Sequence, residues 1–166
     1  AADHIGIRHT RVDVRNAFVE KVIDPFIESY TRGLTPNPCV LCNLHIKFPY
    51  LLDHARANGF DYIATGHYAR VSSDHGRQTH LIEDLCGTPL RNARLLMRGI
   101  DPKKDQSYFL YVLGRKDLVR LLLPLGSYRK DEVRRMATER GLRAASRPES
   151  QEICFMQGER YHDFIA

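Results

Sequence analysis

The chain is predicted to be an α/β protein with a largely parallel sheet in its first hundred residues. Short runs at residues 7–14, 61–66 and 95–100 are interpreted as strands, and in the first of them Ile7, Val12 and Val14 are apolar. The segment between the first two runs carries apolar side chains at helical spacing, with glycines where helices should end. Strands that alternate with helices are typical of parallel sheets, because each helix carries the chain back across the sheet.

Two helices are expected before the second strand. Apolar residues recur every fourth position over residues 15–32, and Gly33 follows as a stop signal. A second helix is expected over residues 38–58. Pro49 lies inside it and lacks the amide hydrogen that a helix needs, so we expect a kink near Ile46 or two shorter helices.

The second half of the chain should be mainly helical apart from the strand at residues 95–100. A polar, glycine-containing stretch over residues 72–93 is expected to be a mobile loop. The clearest helix pattern covers residues 129–140, with acidic residues at its start, arginines towards its end and a glycine after it. The remaining expected elements are helices at residues 105–113 and 116–123 and a strand at residues 152–156.

Length and composition describe a globular chain with room for one ordinary core, or for one domain and part of another. It has 166 residues, of which 43% are hydrophobic and 27% charged. No apolar run approaches the roughly 18 residues of a membrane span, and no secretion signal opens the chain. We therefore expect a cytoplasmic protein without a membrane partner. Four cysteines are too few for a disulfide scaffold and indicate redox, catalytic or metal chemistry.

Positive charge is concentrated in the second half of the chain. Residues 1–83 carry nine Lys or Arg and nine Asp or Glu, whereas residues 84–166 carry sixteen and eleven. An excess of this kind favours a polyanionic partner, most commonly a nucleic acid. An ordinary solvated surface would give the same counts, so both interpretations stay open.

Two thiols follow a Pro-x-Pro sequence at the start of the second helix. Pro36 and Pro38 hold the backbone extended, and Cys39 and Cys42 then fall on one face of the first helical turn. Amides without helical partners and the positive end of the helix dipole lie at this end, and both favour thiolate over thiol. The spacing therefore predicts lowered thiol pKa values and a site for sulfur chemistry or metal.

Three other places hold candidate functional residues, each with a structural alternative. Gly66 and His67 follow a strand, where ligands of open α/β sheets bind, although a packed or capping histidine gives the same pattern. Lys104 lies at a helix start suited to a phosphate or an RNA backbone, and a merely exposed helix start is equally consistent. Cys154 lies between apolar neighbours, as a buried structural cysteine does, and Cys86 is assigned no role.

Five blocks of the sequence, taken in order, resemble the tRNA 2-thiouridylase family (MnmA/TrmU). The blocks are Thr35-Pro36-Asn37-Pro38 with Leu41-Cys42-Asn43 and Ile46-Lys47-Phe48, then residues 61–68, 96–99, 104–110, and 152–155 with Gly158-Glu159-Arg160. The resemblance implies an adenine-nucleotide alpha-hydrolase-like (PP-loop ATPase) domain, followed by a small mostly helical segment. It also implies an ATP-dependent transfer of sulfur to C2 of the wobble uridine of tRNA, giving 2-thiouridine.

The same resemblance implies a role for each candidate residue. Cys154 would carry a persulfide received from an upstream sulfur-donor protein. Cys42 would release that sulfur, by attacking the persulfide or by closing a disulfide with Cys154. Gly66 would line the site of ATP with Mg²⁺. The residues implied to contact the flipped target base or the tRNA are Asn37, Pro38, Cys39, His67, Lys104, Asp105 and Gln106.

Two departures from the family pattern bear on the mechanism. Many members have aspartate where this chain has Cys39, so either another group moves the proton or Cys39, Cys42 and Cys154 hold a 4Fe–4S cluster. Persulfide chemistry without metal and a structural zinc are the alternatives. The Ser-Gly-Gly-x-Asp-Ser pyrophosphate loop of the family does not occur in the sequence, and the first strand is expected to be missing with it.

By role, we expect a partial nucleotide-binding and catalytic domain at residues 1–100 and a basic, tRNA-contacting helical segment at residues 101–166. The chain is expected to be the middle of a longer protein, and alone it should not adenylate tRNA. The competing class is a non-enzymatic RNA- or metal-binding module that kept the scaffold. A thioredoxin-like redox pair fits less well, because the C-x-x-C sequence follows a Pro-x-Pro loop and not a strand-to-helix turn.

Overall fold

The computed structural model describes residues 2–72, 94–146 and 153–156. The loop expected over residues 72–93 lies outside this description from residue 73 onwards, and Cys86 lies outside it too.

The chain divides into two compact units. The first unit is Ala1–Pro49 with Asp131–Ala166, and the second is Tyr50–Lys130. This division follows contacts between residues. The predicted boundary at residue 100 divides a nucleotide-binding and catalytic part from a tRNA-contacting part, and it stays a prediction.

A long helical segment lies near the start of the first unit. It consists of α1 (Arg15–Phe18), a π-helical turn (Val19–Ile23) and α2 (Asp24–Thr31), in agreement with the predicted helix. Val22 and Phe26, four residues apart, are fully buried and mark the core side of the segment. The chain leaves the helix at Gly33, whose φ of 73° is left-handed and favours glycine.

The second predicted helix is present as two shorter α-helices joined by a π-helical turn. The segment runs through α3 (Pro38–Cys42), the π turn (Asn43–Lys47) and α4 (Phe48–Ala57). Pro49 has no amide hydrogen to donate to the carbonyl of His45, and its ring crowds that carbonyl, so the helix widens over this turn. Ile46 and Phe48 are buried on the core side.

Two small sheets lie in the second unit. β1 (Ile63–Ala64) pairs in parallel with β4 (Leu121–Leu122), so that Ile63 stands opposite Leu121. β2 (Ala69–Val71) pairs in antiparallel fashion with β3 (Leu96–Arg98), so that Ala69 stands opposite Arg98. The side chains of Ile63, Ala69 and Leu121 are buried, so both strand pairs contribute to the core of this unit.

Short helical turns and one longer helix make up the rest of the described structure. They are 3-10 turns at Asp3–Ile5, Ser107–Phe109, Pro124–Ser127 and Arg143–Ser146, with α5 (Arg115–Leu118) and α6 (Lys130–Glu139). α6 is the helix predicted over residues 129–140. In the described part of the chain, no helix has the length and apolar character needed to span a bilayer.

Two glycines let backbone segments approach β2 very closely. A Cβ on Gly99 would lie 2.7 Å from the carbonyl oxygen of Tyr68, and a Cβ on Gly126 would lie 1.7 Å from that of Ala69. A carbon atom does not approach a backbone oxygen so closely, so only glycine fits at these two positions. The Ile100 amide also donates a hydrogen bond to the Gly126 carbonyl (3.0 Å). The backbone of Tyr68 and Ala69 is thereby held by two glycine contacts.

Several predicted elements differ from the structure. Residues 7–14 form no strand, and Ile7 and Val12 are exposed. The helix predicted over residues 116–123 ends at Leu118, and its last part is β4, because pairing with β1 overrides the local helical pattern. Residues 105–113 contain one 3-10 turn, and residues 153–156, the described part of the last predicted strand, make a turn.

The α/β class is correct in its coarse form. Helices and strands are mixed along the chain, and β1 and β4 are parallel. The described residues form two separate sheets, of which β1–β4 is parallel and β2–β3 is antiparallel. The missing first strand and the helical character of residues 101–166 stay predictions.

Candidate functional site

The thiols of Cys39 and Cys42 lie in α3, whose start is fixed by Asn37. The Asn37 side-chain oxygen accepts a hydrogen bond from the Cys39 amide (3.2 Å), and the buried Pro38 takes the first helical position. Side-chain oxygens at this position satisfy amides that the helix leaves open, and proline there has no amide to satisfy. Both thiols are half-buried. The residues before them thus set where α3 begins and where its sulfurs lie.

Cys154 is exposed, but the residues that follow it are anchored. The ring of Phe155 packs edge-to-face against Phe18, with ring centroids 5.8 Å apart, and against Phe26, at 5.3 Å. Met156 is buried. Edge-to-face pairs of this kind contribute about 0.5–1.5 kcal/mol each beyond their buried area. The aromatic contacts therefore position a short turn that has no helix or strand to hold it.

The three described cysteines share one electrostatic neighbourhood. The positive charge of Lys47 lowers the pKa of both Cys39 and Cys42, and the charge of Cys154 raises the pKa of both. Charges in a solvated protein act on each other mainly over short distances. The structure therefore places thiols that more than a hundred positions separate along the chain within electrostatic range of one another.

The prediction that the two α3 thiols have lowered pKa values is wrong. Burial is the largest influence, and it raises the pKa of Cys39 and of Cys42 above the ordinary thiol value. The Lys47 charge acts in the opposite direction and does not outweigh it. α3 has only five residues, and the Cys39 amide is already bound to Asn37, so the helix start offers a thiolate little stabilisation. Both thiols are therefore mainly protonated at neutral pH.

The geometry of the thiol cluster gives no support to a metal site. Within residues 2–72, 94–146 and 153–156, no three His, Cys, Asp or Glu side chains are placed so that they could hold one ion. This result bears on the 4Fe–4S and zinc alternatives, which would need Cys39, Cys42 and Cys154 as ligands. The three cysteines are free thiols.

Gly66 and His67 follow β1 in the second unit. Gly66 is exposed, and a Cβ there would meet only the Cδ1 atom of Leu125, at an ordinary 3.6 Å. The Nδ1 atom of His67 lies 2.9 Å from the Thr65 hydroxyl oxygen, which orients the half-buried ring. An open backbone edge beyond the carboxyl end of a parallel strand is where ligands of α/β folds bind.

Asp105 and Gln106 hold the local fold of the second unit. The Asp105 carboxylate accepts hydrogen bonds from the Gly99 amide (2.9 Å), the Ser107 amide (3.2 Å) and the Ser107 hydroxyl (2.9 Å). The Gln106 side-chain oxygen accepts a bond from the Tyr68 amide, and the Gln106 amide donates one to the Tyr68 carbonyl, both at 2.9 Å. The acceptor atoms of both side chains are thus engaged inside the protein.

The sequence did not single out Asp101, which is a buried carboxylate. Its oxygens accept hydrogen bonds from the amides of Lys103 and Lys130, each at 3.0 Å. The bond from Lys130 is the main cause of a lowered Asp101 pKa, and the charges of Arg129 and Lys104 act in the same direction. The available signal was an Asp-Pro-Lys sequence, because aspartate often binds the amide two positions later in a turn.

The comparisons with known proteins identify the family. A sequence model of the family described as tRNA methyl transferase HUP domain matches residues 1–158. The chain belongs to this family. The family resemblance predicted from the sequence blocks is confirmed by this match and by curated relatives named tRNA-specific 2-thiouridylase MnmA.

This HUP domain is 47% identical over 161 residues to the MnmA protein of Roseiflexus castenholzii, an alignment that covers 97% of the chain and 43% of the relative. It is 48% identical to the MnmA protein of Roseiflexus sp. (strain RS-1), over 97% of the chain and 44% of the relative. The MnmA protein of Syntrophomonas wolfei is 46% identical, over 99% and 44%. The chain therefore spans less than half the length of these curated relatives.

The predicted site residues of this HUP domain fall into two groups. Those in the first unit are Asn37, Pro38, Cys39, Cys42 and Cys154, and those in the second unit are Gly66, His67, Lys104, Asp105 and Gln106. Within the first unit the structure places the thiols within electrostatic range of one another. Sequence reasoning missed Lys47 as a charge beside the thiols, Phe155 as the anchor of Cys154, and Asp101.

Proposed function

We propose that the chain takes part in ATP-dependent transfer of sulfur to C2 of the wobble uridine of tRNA, giving 2-thiouridine. The observation that carries the proposal is that the exposed Cys154, next to the packed ring of Phe155, lies within electrostatic range of Cys39 and Cys42 of α3. The family description mentions methyl transfer, whereas the relatives are named 2-thiouridylases. A cluster of thiols suits sulfur transfer, because sulfur passes between proteins as a thiol-bound persulfide.

Cys154 receives the sulfur, since its thiol is exposed and the α3 thiols are half-buried. A sulfur-donor protein passes a sulfane sulfur to it, and Cys154–SH becomes Cys154–S–SH. The uridine C2 oxygen is a poor leaving group, and adenylation by ATP, with release of pyrophosphate, lets it depart as AMP. The terminal persulfide sulfur attacks C2, the C2–O bond breaks, and AMP leaves with the electron pair.

Cys42 completes the transfer. Its thiolate attacks the Sγ atom of Cys154, the persulfide S–S bond breaks, and the electron pair stays on the sulfur attached to C2. The products are 2-thiouridine and a Cys42–Cys154 disulfide, so the two electrons gained by the transferred sulfur come from the two cysteine thiols. Attack by Cys42 before sulfur reaches C2 gives the same disulfide. A cellular dithiol then reduces it.

The start of α3 is the proposed contact for the target base. A uridine that reaches Cys42 from the helix start passes Asn37, Pro38 and Cys39, which precede it directly. The base must be flipped out of its stack, because sulfur cannot reach C2 otherwise.

Gly66 is the proposed edge of the ATP site, and His67 the neighbouring contact to tRNA. The exposed, side-chain-free backbone at Gly66 fits the close approach of a nucleotide, and Mg²⁺ accompanies the ATP phosphates. Lys104 supplies positive charge for tRNA. Asp105 and Gln106 act beside it chiefly by holding the local fold, because their acceptors are engaged internally.

The partners of this reaction are tRNA and a sulfur-donor protein, and its place is the cytoplasm. In the proposed division of roles, residues 1–100 supply the nucleotide and sulfur chemistry and residues 101–166 contribute tRNA contacts together with Cys154.

The test is a sulfur-transfer assay on the polypeptide that contains these residues, with ATP, Mg²⁺, an unmodified tRNA transcript and a ³⁵S-persulfide donor. We expect Cys154→Ser to take up no label. Cys42→Ser should take up label on Cys154 and release no thiolated tRNA. Cys39→Asp is the matched control in the same helical turn, and it should transfer sulfur.

Two results would lead to other conclusions. If the Cys154→Ser and Cys42→Ser variants thiolate tRNA at the wild-type rate, the proposed chemistry is wrong. If the wild-type polypeptide binds tRNA but transfers no sulfur under any of these conditions, the non-enzymatic module is the better description. Iron and sulfide analysis after anaerobic purification tests the cluster, and stoichiometric iron that depends on Cys39 would replace the metal-free route.

A further inference from the structure

Four cationic residues from two separate segments meet around one buried carboxylate in the second unit. We call this group the Asp101 cluster; it comprises Asp101, Lys103, Lys104, Arg129 and Lys130. One carboxylate oxygen binds the Lys103 amide and the other binds the Lys130 amide, while the Asp101 carbonyl accepts a bond from the Lys104 amide (3.1 Å). The carboxylate thus ties two pairs of neighbouring basic residues to a single point.

The Asp101 cluster contains four basic residues and one acidic residue, and Asp105 and Asp131 adjoin it in sequence. The Asp101 carboxylate is buried, and each of its oxygens accepts a hydrogen bond from a backbone amide, whereas Lys103 and Arg129 are exposed. The Lys130 ammonium lies 5.2 Å from the ring centroid of Tyr68, and cation–π attraction of this kind limits where a half-buried ammonium can move. Tyr68 is itself fixed by the two main-chain bonds with Gln106. The Lys130 ammonium therefore lies against a ring whose backbone is fixed by hydrogen bonds.

We propose that the Asp101 cluster binds the phosphate backbone of tRNA and that Arg129 and Lys130 belong to the RNA-binding surface together with Lys104. The inference deepens the proposed function and rests on it for the identity of the RNA. It extends the contact predicted at Lys104 to two named residues that follow it by about 25 positions, within the segment predicted to contact tRNA.

Phosphate is the partner that this arrangement fits. Lysine and arginine side chains make many of the contacts to nucleic-acid backbones. Such contacts depend on several positive side chains near one another and not on a single shaped pocket. The Asp101 cluster offers compact ammonium groups and one guanidinium that can grip a phosphate with two hydrogen bonds. It also lies in the half of the chain that holds the whole excess of positive charge.

The test compares two Arg-Lys pairs of the second unit. The double variant Arg129→Gln/Lys130→Gln removes two charges from the cluster, and the backbone amide that binds Asp101 remains. The matched control is Arg115→Gln/Lys116→Gln, which removes the same two charges from exposed residues at the start of α5. Binding of a fluorescently labelled, unmodified tRNA transcript is measured by anisotropy between 50 and 200 mM KCl.

We expect the cluster variant to bind tRNA more weakly at 50 mM KCl, with a salt dependence reduced by about two phosphate contacts. Each phosphate contact contributes about 0.9 to the slope of log affinity against log salt concentration, so two contacts contribute about 1.8. The factor by which tRNA affinity falls between 50 and 200 mM KCl should therefore be about 12 times smaller for the cluster variant than for the wild type. The control should keep the wild-type slope. The single variant Lys130→Gln should lose one phosphate contact. Lys130→Arg keeps the positive charge and should retain that contact.

The outcomes separate this inference from the proposed function. An unchanged slope in the cluster variant, with tRNA still bound, overturns the inference alone. An equal loss of slope in the control overturns it as well, because the binding would then follow net charge and not the Asp101 cluster. A wild-type polypeptide that binds no tRNA overturns the proposed substrate. Salt-dependent binding at the cluster without sulfur transfer leaves the inference standing and contradicts the proposed chemistry.

Discussion

Phe155 should control how readily Cys154 reaches Cys42. The variant Phe155→Ala loses two edge-to-face contacts, to Phe18 and to Phe26. At about 0.5–1.5 kcal/mol each, they amount to about 1–3 kcal/mol that holds the Cys154 turn in place. Since about 1.4 kcal/mol corresponds to a factor of ten, the effective concentration of Cys154 at Cys42 should fall by about 5- to 150-fold.

The assay is the equilibrium between the two thiols and glutathione disulfide, with the Cys42–Cys154 disulfide quantified by mass spectrometry. Phe155→Leu keeps an apolar side chain and should give an intermediate value. Phe60→Ala removes a phenylalanine that is 58% exposed in the second unit, and it should leave the equilibrium unchanged. If Phe155→Ala forms the disulfide as readily as the wild type, the aromatic anchor does not position Cys154.

Three further predictions follow from contacts in the two units. Lys47→Gln removes a charge that lowers the Cys42 pKa, so that pKa rises further and alkylation by iodoacetamide slows at pH 8, as followed by mass spectrometry. Gly126→Ala places a Cβ against the Ala69 carbonyl and should lower the unfolding free energy in urea by about 3 kcal/mol or more. Asp101, whose pKa is lowered on folding, stabilises the protein above its unfolded pKa of about 4, and this contribution disappears as the pH falls through the folded value. Asp101→Asn should therefore flatten the acid side of the stability profile.

Conservative variants provide the controls for these three predictions. Lys47→Arg keeps the charge and should retain the alkylation rate, and an unchanged rate in Lys47→Gln would remove the electrostatic explanation. Gly66→Ala meets only an ordinary contact and should unfold like the wild type. Asp101→Glu keeps a carboxyl group that can titrate. If its unfolding free energy depends on acid pH in the same way as that of Asp101→Asn, a group other than residue 101 causes the dependence.

The helices were predictable because their signals are local. Apolar side chains at four-residue spacing place Val22 and Phe26 on one face, and both are fully buried. Pro49 signalled a kink, and the structure has a π-helical turn directly before it. Such features depend only on residues that are close together in the sequence, so they can be predicted from the sequence directly.

The strands depended on distant partners and were predicted less well. β1 was expected, but its partner β4 lies 58 positions later and has a sequence that also suits a helix. Residues 7–14 contain only three apolar residues, and Ile7 and Val12, five positions apart, would face opposite sides of a strand. Both are exposed, and no strand forms there. Pairing of this kind is a tertiary property and overrides local preference.

The candidate site was predictable in part. The resemblance implied the pairing of Cys42 with Cys154, and this pairing stays a prediction. The direction of the thiol pKa values was wrong, because burial depends on what packs over a side chain and a short helix offers little in return. The anchor at Phe155 could have been suspected from an aromatic next to Cys154 and phenylalanines at helical spacing upstream.

The two glycines beside β2 have a consequence for ligand recognition at His67. The main chain immediately after this histidine is pinned by Gly99 and Gly126, whereas the exposed Gly66 before it has no such restraint. Adjustment to an incoming molecule must therefore come from torsion at Gly66 or from rotation of the imidazole about its own bonds. An incoming group at the proposed His67 contact therefore meets a backbone that is closely packed on one side of the histidine and open on the other.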